Sequence, residues 1–174
     1  MRTFIIVLVA GVLTFAAPAS AEENPLKWRY TKPADVISTG LVFGQIGLEA
    51  WSNFRAPDRR HALGCMALRN GLAIGATELT KALVHRTRPD ASDRKSFFSE
   101  HTALASLNSG WRFQVSVPIA ISTGYLRSAA NKHFASDVIV GAGVGALVRF
   151  ACNDGRPATA ADALSARARG GSSK

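Results

Sequence analysis

The sequence predicts an all-α fold, a compact bundle of about five core helices. No segment shows the two-residue alternation of apolar and polar side chains that is typical of strands. The long apolar segments are instead separated by short runs rich in turn-forming residues, at 56–58, 87–98 and 108–110. The chain has 174 residues, which is enough for one domain with a sizeable core.

The N-terminal segment 1–21 has the three-part pattern of a secretory signal peptide. Arg2 is followed by an apolar run over 4–17 and by the small residues Ala19-Ser20-Ala21. We expect cleavage after Ala21 and an exported, periplasmic protein. An uncleaved membrane anchor is the less favoured alternative, because the run is shorter than the about 20 residues of a span. The expected parts of the chain are a signal peptide 1–21, a polar lead-in 22–33, the domain 34–152 and a flexible tail 153–174.

The first two helices are predicted over about 34–52 and about 59–84. A break at Ala56-Pro57-Asp58 separates them. The second helix must end before Pro89, because a residue that precedes proline avoids the α region. The polar stretch 87–98 is therefore predicted to be a loop, with Phe97 and Phe98 at the entrance of a pocket.

The remaining core helices follow this loop. Ser99 is a favoured N-cap residue and is predicted to start the third helix. The apolar segment 113–126 contains Pro118, so it is either a kinked helix or two short pieces, with Arg127 directly after it. The last core helix is predicted to start near Lys132. Its glycines would allow close helix packing: Gly141, Gly143 and Gly145.

The composition favours acidic partners. The chain has 21 Lys and Arg against 12 Asp and Glu, a formal charge of +9, which suits an anionic substrate or an anionic membrane surface. Nucleic acid is not expected, because no basic run is interleaved with aromatic residues. No metal and no cofactor are expected, since no His, Cys and Asp cluster has ligand spacing. Cys65 and Cys152 form either a disulfide or two buried thiols, and their apolar surroundings favour the thiols. The oligomeric state stays open.

Three short clusters carry groups that phosphoryl transfer requires, namely cations, a nucleophile and an acid. Lys81, Arg88 and Arg127 are the cation candidates, and arginine can donate to phosphate in a bidentate manner. His133 and Asp137 are four residues apart, which on a helix places them on one face. Asp137 would then accept from one ring nitrogen of His133 and leave the other free to attack phosphorus.

His101, the second histidine, lies beside the predicted N-terminus of the third helix. The site is therefore expected at helix ends. If Ser99 is the N-cap, free backbone N–H groups there, including that of Glu100, point toward an anion. His101 is then close enough to protonate a departing oxygen. The expected roles are therefore nucleophile for His133 and general acid for His101.

These clusters resemble the three signature motifs of the type 2 phosphatidic acid phosphatase and vanadium haloperoxidase superfamily. The resemblance covers Lys81 to Asp137. It implies that phosphate oxygens are held by Lys81, Arg88, Ser99 with the adjacent Glu100 amide, and Arg127. It also implies an all-helical fold and a phosphohistidine mechanism without metal. Three residues depart from the usual motifs: Phe98 replaces a proline, Glu100 a glycine and Leu126 a serine. The gap from His101 to Arg127 is also short for the family. Glu100 either places a negative charge beside the anion site or faces water.

The sequence therefore predicts a metal-independent acid phosphatase. Expected substrates are phosphomonoesters or pyrophosphates, in particular lipid phosphates such as phosphatidic acid or polyprenyl pyrophosphate. The domain is expected to be soluble or peripherally attached to an anionic membrane. Two alternatives stay open: a vanadate-dependent haloperoxidase and a non-catalytic binder of anions or lipid headgroups.

Overall fold

The computed structural model describes residues 31–108 and 113–153, and every regular element in these ranges is helical. This confirms the all-α prediction. The elements are α1 Thr31–Phe54, α2 Arg59–Val84, α3 Glu100–Leu107, α4 Phe113–Ala129, α5 Ala135–Val148 and a 3₁₀ helix Arg149–Ala151. The predicted signal peptide, most of the lead-in 22–33 and nearly all of the tail lie outside the described residues. None of the helices in the described ranges has both the length and the hydropathy needed to span a bilayer.

The short helix α3 is the centre of the bundle. It packs against each of the other four helices, and its residues from Thr102 to Leu107 are buried. The closest packing is against α5, where a Cβ atom at Gly141 would lie 2.5 Å from the Ser99 carbonyl oxygen. Gly145 likewise faces the Ala103 carbonyl, whereas a Cβ at Gly143 would meet no atom within 4 Å. Two of the three glycines therefore serve close packing.

Local signals set the ends of α2 as predicted. The Asp58 side chain caps its first turn by accepting from the backbone N–H of His61 at 3.2 Å. At the other end, His85 adopts a left-handed conformation with φ 49°, and Pro89 follows soon after. The structure thus places the end of α2 before the polar loop 87–98.

The last two helices differ from the prediction. The segment with Pro118 is a single helix, and Arg127 lies in its last turn. The helix α5 begins at Ala135, later than predicted, because Phe134 is an extended N-cap with ψ 157°. His133 therefore precedes the helix and does not share a helical face with Asp137.

Two further predictions were wrong. Phe97 and Phe98 do not line a pocket entrance, since they are 0% and 1% exposed and pack with Ala103 in the core. Cys65 and Cys152 are not free thiols but form a disulfide, with Cα atoms 5.3 Å apart. The pairing is possible because the 3₁₀ helix after α5 lies against α2.

Candidate active site

A cleft of about 470 Å³ opens where α1, the start of α3, the end of α4 and the loop 87–98 meet. Four of the residues predicted for the site line it: Arg88, Glu100, His101 and Arg127. The helix α1 contributes two polar side chains, those of Asp35 and Thr39, and two apolar ones, those of Val42 and Phe43. The cleft is therefore charged and polar in one part, with side chains of both signs, and apolar in another.

His133 is buried, with 3% of its surface exposed, and both ring nitrogens have defined partners. Nδ1 lies 2.6 Å from the Ser96 carbonyl oxygen, and Nε2 lies 3.4 Å from Nη2 of Arg127. The carbonyl can only accept and the guanidinium can only donate, so these partners assign the proton to Nδ1 and the lone pair to Nε2. Burial lowers the pKa of His133 to about 2, and the positive charge of Arg127 acts in the same direction. The imidazole is therefore neutral, with an unprotonated Nε2 beside a cleft residue.

Asp137 does not hold the ring of His133 directly. Its nearest carboxylate oxygen is 4.0 Å from Nδ1, because His133 precedes α5. The carboxylate instead accepts from Ser96 Oγ at 2.5 Å, from Arg86 Nη1 at 2.5 Å and from the Phe134 N–H at 3.1 Å. Burial raises the pKa of Asp137, while the bond from Ser96 and the charge of Arg86 oppose that rise. Asp137 is thus connected to His133 through Ser96.

The start of α3 has the predicted cap. The Ser99 side chain accepts from the backbone N–H and the hydroxyl of Thr102, at 3.5 and 3.0 Å. His101, in the first turn, has Nε2 at 3.1 Å from the Thr39 hydroxyl. Burial lowers the pKa of His101 to about 4, and the charge of Arg127 adds to this effect. His101 is therefore neutral at pH 7 without a ligand, and a bound phosphate dianion would raise its pKa.

Each predicted cation is paired with a carboxylate. The pairs around the cleft are Lys81 with Glu78 at 2.7 Å and with Glu100 at 3.0 Å, Arg88 with Asp93 at 2.7 Å, Arg127 with Asp35, and Lys132 with Asp90 at 2.7 Å. Glu100 contacts Lys81 and lines the cleft. Of the two alternatives for its side chain, the negative charge beside the candidate anion site is therefore the one found. Nε of Arg127 is buried and has no hydrogen-bond partner among the described residues.

Four residues of this network were missed in the sequence. Asp35 and Thr39 are four apart in α1, a spacing that places both on one helix face and was a usable signal. Arg86 lies two residues before Arg88, and this proximity to a predicted site residue was a weaker signal. Ser96 holds His133 through its backbone carbonyl, and no side-chain type can reveal such a contact.

Comparison with known proteins gives one informative similarity. The chain is 34% identical to the lipid A 1-phosphatase of Porphyromonas gingivalis, in an alignment that covers 85% of this chain and 37% of that protein. The chain thus spans little more than a third of the relative's length. No family model matches the sequence, and no solved structure matches it. Over most of its own length the chain is therefore similar to a phosphatase, the class of enzyme that its three motifs predict.

Proposed function

We propose that this protein is a metal-independent phosphatase of lipid phosphates that acts through a phosphorylated His133. Nε2 of His133 attacks phosphorus, and the bond between phosphorus and the leaving oxygen breaks. His101 gives its proton to that oxygen, which departs as a hydroxyl group. His101 then takes a proton from water, the water oxygen attacks phosphorus, and the bond from phosphorus to Nε2 breaks to release inorganic phosphate.

The contacts of the two ring nitrogens of His133 are the observation that carries this proposal. A histidine attacks only through an unprotonated nitrogen, and here the Ser96 carbonyl and the Arg127 guanidinium favour the same assignment. The pKa of about 2 keeps Nε2 unprotonated across the range in which enzymes work. A phosphate bound to Arg127 would lie next to this nitrogen.

The surrounding donors suit a phosphate. Arg88 and Arg127 line the cleft, and Nε of Arg127 is a buried donor with no partner in the described ranges. The capped start of α3 adds the positive end of a helix dipole and the backbone N–H of Glu100. Donors placed in this manner stabilise the charge that develops on the transferred group.

The apolar part of the cleft supports a lipid substrate. Val42, Phe43 and Leu104 line it together, and Phe43 is 68% exposed, so an acyl or prenyl chain would cover apolar surface there. The similar protein is named for a lipid phosphate substrate. Export to the periplasm and peripheral contact with an anionic membrane belong to the same proposal, supported by the N-terminal sequence pattern and the charge of +9.

The test is release of inorganic phosphate by the purified protein in the presence of EDTA. Substrates are a chromogenic phosphomonoester, phosphatidic acid, a polyprenyl pyrophosphate and a lipid A phosphate. His133→Ala is expected to lower turnover by at least about a thousandfold. His61→Ala, a variant of an exposed histidine outside the cleft, is the matched control and is expected to retain turnover.

Other results would replace the proposal. No release from any substrate, with vanadate still bound, would indicate a binder of anions. Halide oxidation that depends on added vanadate would indicate a haloperoxidase. Release that EDTA abolishes would show that the reaction needs a metal.

A further inference from the structure

We propose that Arg86 is a positioning residue for the His133 nucleophile, an inference that rests on the proposed function. Arg86 does not line the cleft, and its side chain is 8% exposed. It is not one of the residues that define the three motifs. It nevertheless contacts Ser96, which bonds the His133 ring, and residues that follow His133 in the chain.

Arg86 makes contacts through its backbone and through its guanidinium. Its carbonyl accepts from the backbone N–H of Ser96 at 2.9 Å, and the Ser96 carbonyl in turn accepts from Nδ1 of His133. Nη1 of Arg86 donates to Asp137 at 2.5 Å and to the Ser136 hydroxyl at 3.1 Å. Arg86 therefore connects the start of α5 to the loop segment at Ser96, whose carbonyl holds the His133 ring.

A stacking contact completes this arrangement. The guanidinium carbon lies 4.3 Å from the ring centroid of Phe134, the residue that follows His133. Arginine combines a planar face with a fork of donors, which lysine lacks. Arg86 can thus restrain Phe134 and Asp137 at the same time, and lysine cannot.

The consequence for His133 is a single ring orientation. Two acceptors lie near Nδ1, the Ser96 carbonyl at 2.6 Å and Asp137 Oδ2 at 4.0 Å. Arg86 and the Ser96 hydroxyl hold the carboxylate away from the ring. Without the planar donor fork of Arg86, the buried carboxylate is no longer held in place and becomes a competing acceptor for the Nδ1 proton. Nε2 would then point toward Arg127 for only part of the time.

The kinetic test compares Arg86→Lys and Arg86→Gln with the unmodified protein. We expect kcat to fall about tenfold to a hundredfold, as for a small misplacement of a reacting group. KM should stay within about twofold, because Arg86 is outside the cleft. Arg94→Lys, an exposed position in the same loop, is the matched control and should leave both constants unchanged. Thermal melts identify the variants that fold. If Arg86→Gln does not fold, Arg86→Lys alone provides the kinetic test.

A second measurement does not depend on activity. In protein labelled with ¹⁵N-histidine, the His133 resonances, assigned with His133→Gln, should show one Nδ1–H signal. Arg86→Lys should shift, broaden or split this signal, because the Ser96 carbonyl and the Asp137 carboxylate then compete as its acceptor. This spectrum tests Arg86 even if no substrate is hydrolysed, so failure of the proposed function and failure of this inference are distinguishable. A folded Arg86→Lys protein whose Nδ1–H signal equals that of the unmodified protein overturns the inference, and so does one with unchanged kcat.

Discussion

Lowering the pH from about 7 to about 5 is expected to destabilise this protein, because two histidines are neutral in the fold. The folded pKa is about 2 for His133 and about 4 for His101, against about 6.5 in the unfolded chain. Below about pH 6.5 the unfolded chain binds protons that the folded chain does not. The free energy of unfolding therefore decreases as the pH is lowered. The stability is present above the unfolded pKa and is lost as the pH falls toward the folded values.

The size of the effect follows from these pKa values. Between the two pH values each histidine accounts for about 2 kcal/mol. Partial hydration of His101 reduces its share, and the raised pKa of Asp137 acts in the opposite direction. We therefore expect a total loss of about 2 to 4 kcal/mol. That is a large part of the about 5 to 15 kcal/mol by which most domains are stable.

The assay is urea unfolding followed by circular dichroism at both pH values, with the disulfide intact. His133→Gln and His101→Gln should each remove about half of the pH dependence. Arg94→Gln, an exposed position in the loop 87–98, is the matched control and should keep all of it. Equal stability of the unmodified protein at the two pH values would refute the reasoning, as would a full-sized loss in both variants.

Three further outcomes are expected. Gly141→Ala should lower the free energy of unfolding by about 1 to 3 kcal/mol, since its Cβ would lie 2.5 Å from a carbonyl at the start of α3. Gly143→Ala, with no atom within 4 Å, should be neutral or stabilising by up to about 1 kcal/mol; equal melting temperatures for the two would contradict this packing argument. Glu100→Gly removes one of the two carboxylates that contact Lys81 and should lower KM about two- to fivefold, with equal or higher turnover on small phosphoesters. A collapse of turnover would instead show that Glu100 assists the reaction. In a pH–rate profile, kcat/KM should decline as the pH rises through the pKa of His101, about 4, because neutral imidazole cannot protonate a leaving oxygen. The decline in kcat should come at higher pH, since bound phosphate raises that pKa, and a profile of kcat/KM that stays flat up to neutral pH would argue against His101 as the acid.

The parts of the fold that were predictable depend on signals between near neighbours in the chain. The start of α2 and the Ser99 cap follow from side chains that accept from a backbone N–H three residues away, and the end of α2 follows from the nearby Pro89. The order of the cation, acid and nucleophile candidates likewise lies in short motifs. For such features the sequence contains nearly all of the relevant information.

The parts that were not predictable depend on how distant segments meet. Spacing alone suggested a bond from His133 to Asp137, but a start of α5 two residues after His133 removed the shared helix face. The Ser96 carbonyl that replaced Asp137 belongs to the backbone, so residue type says nothing about it. The disulfide joins residues 87 positions apart, and only the packing of the 3₁₀ helix on α2 brings them together.

The pairing of cleft cations with carboxylates makes ligand binding an exchange of anions. A phosphate that reaches Arg127 must displace or share the carboxylate of Asp35, and at Arg88 that of Asp93. Singly charged ions such as chloride offer little compensation for separating these pairs, whereas a dianion with several acceptor oxygens offers more. The immediate surroundings of the cleft are therefore close to electrical neutrality, so we expect ligand binding to depend on the charge density of the ligand.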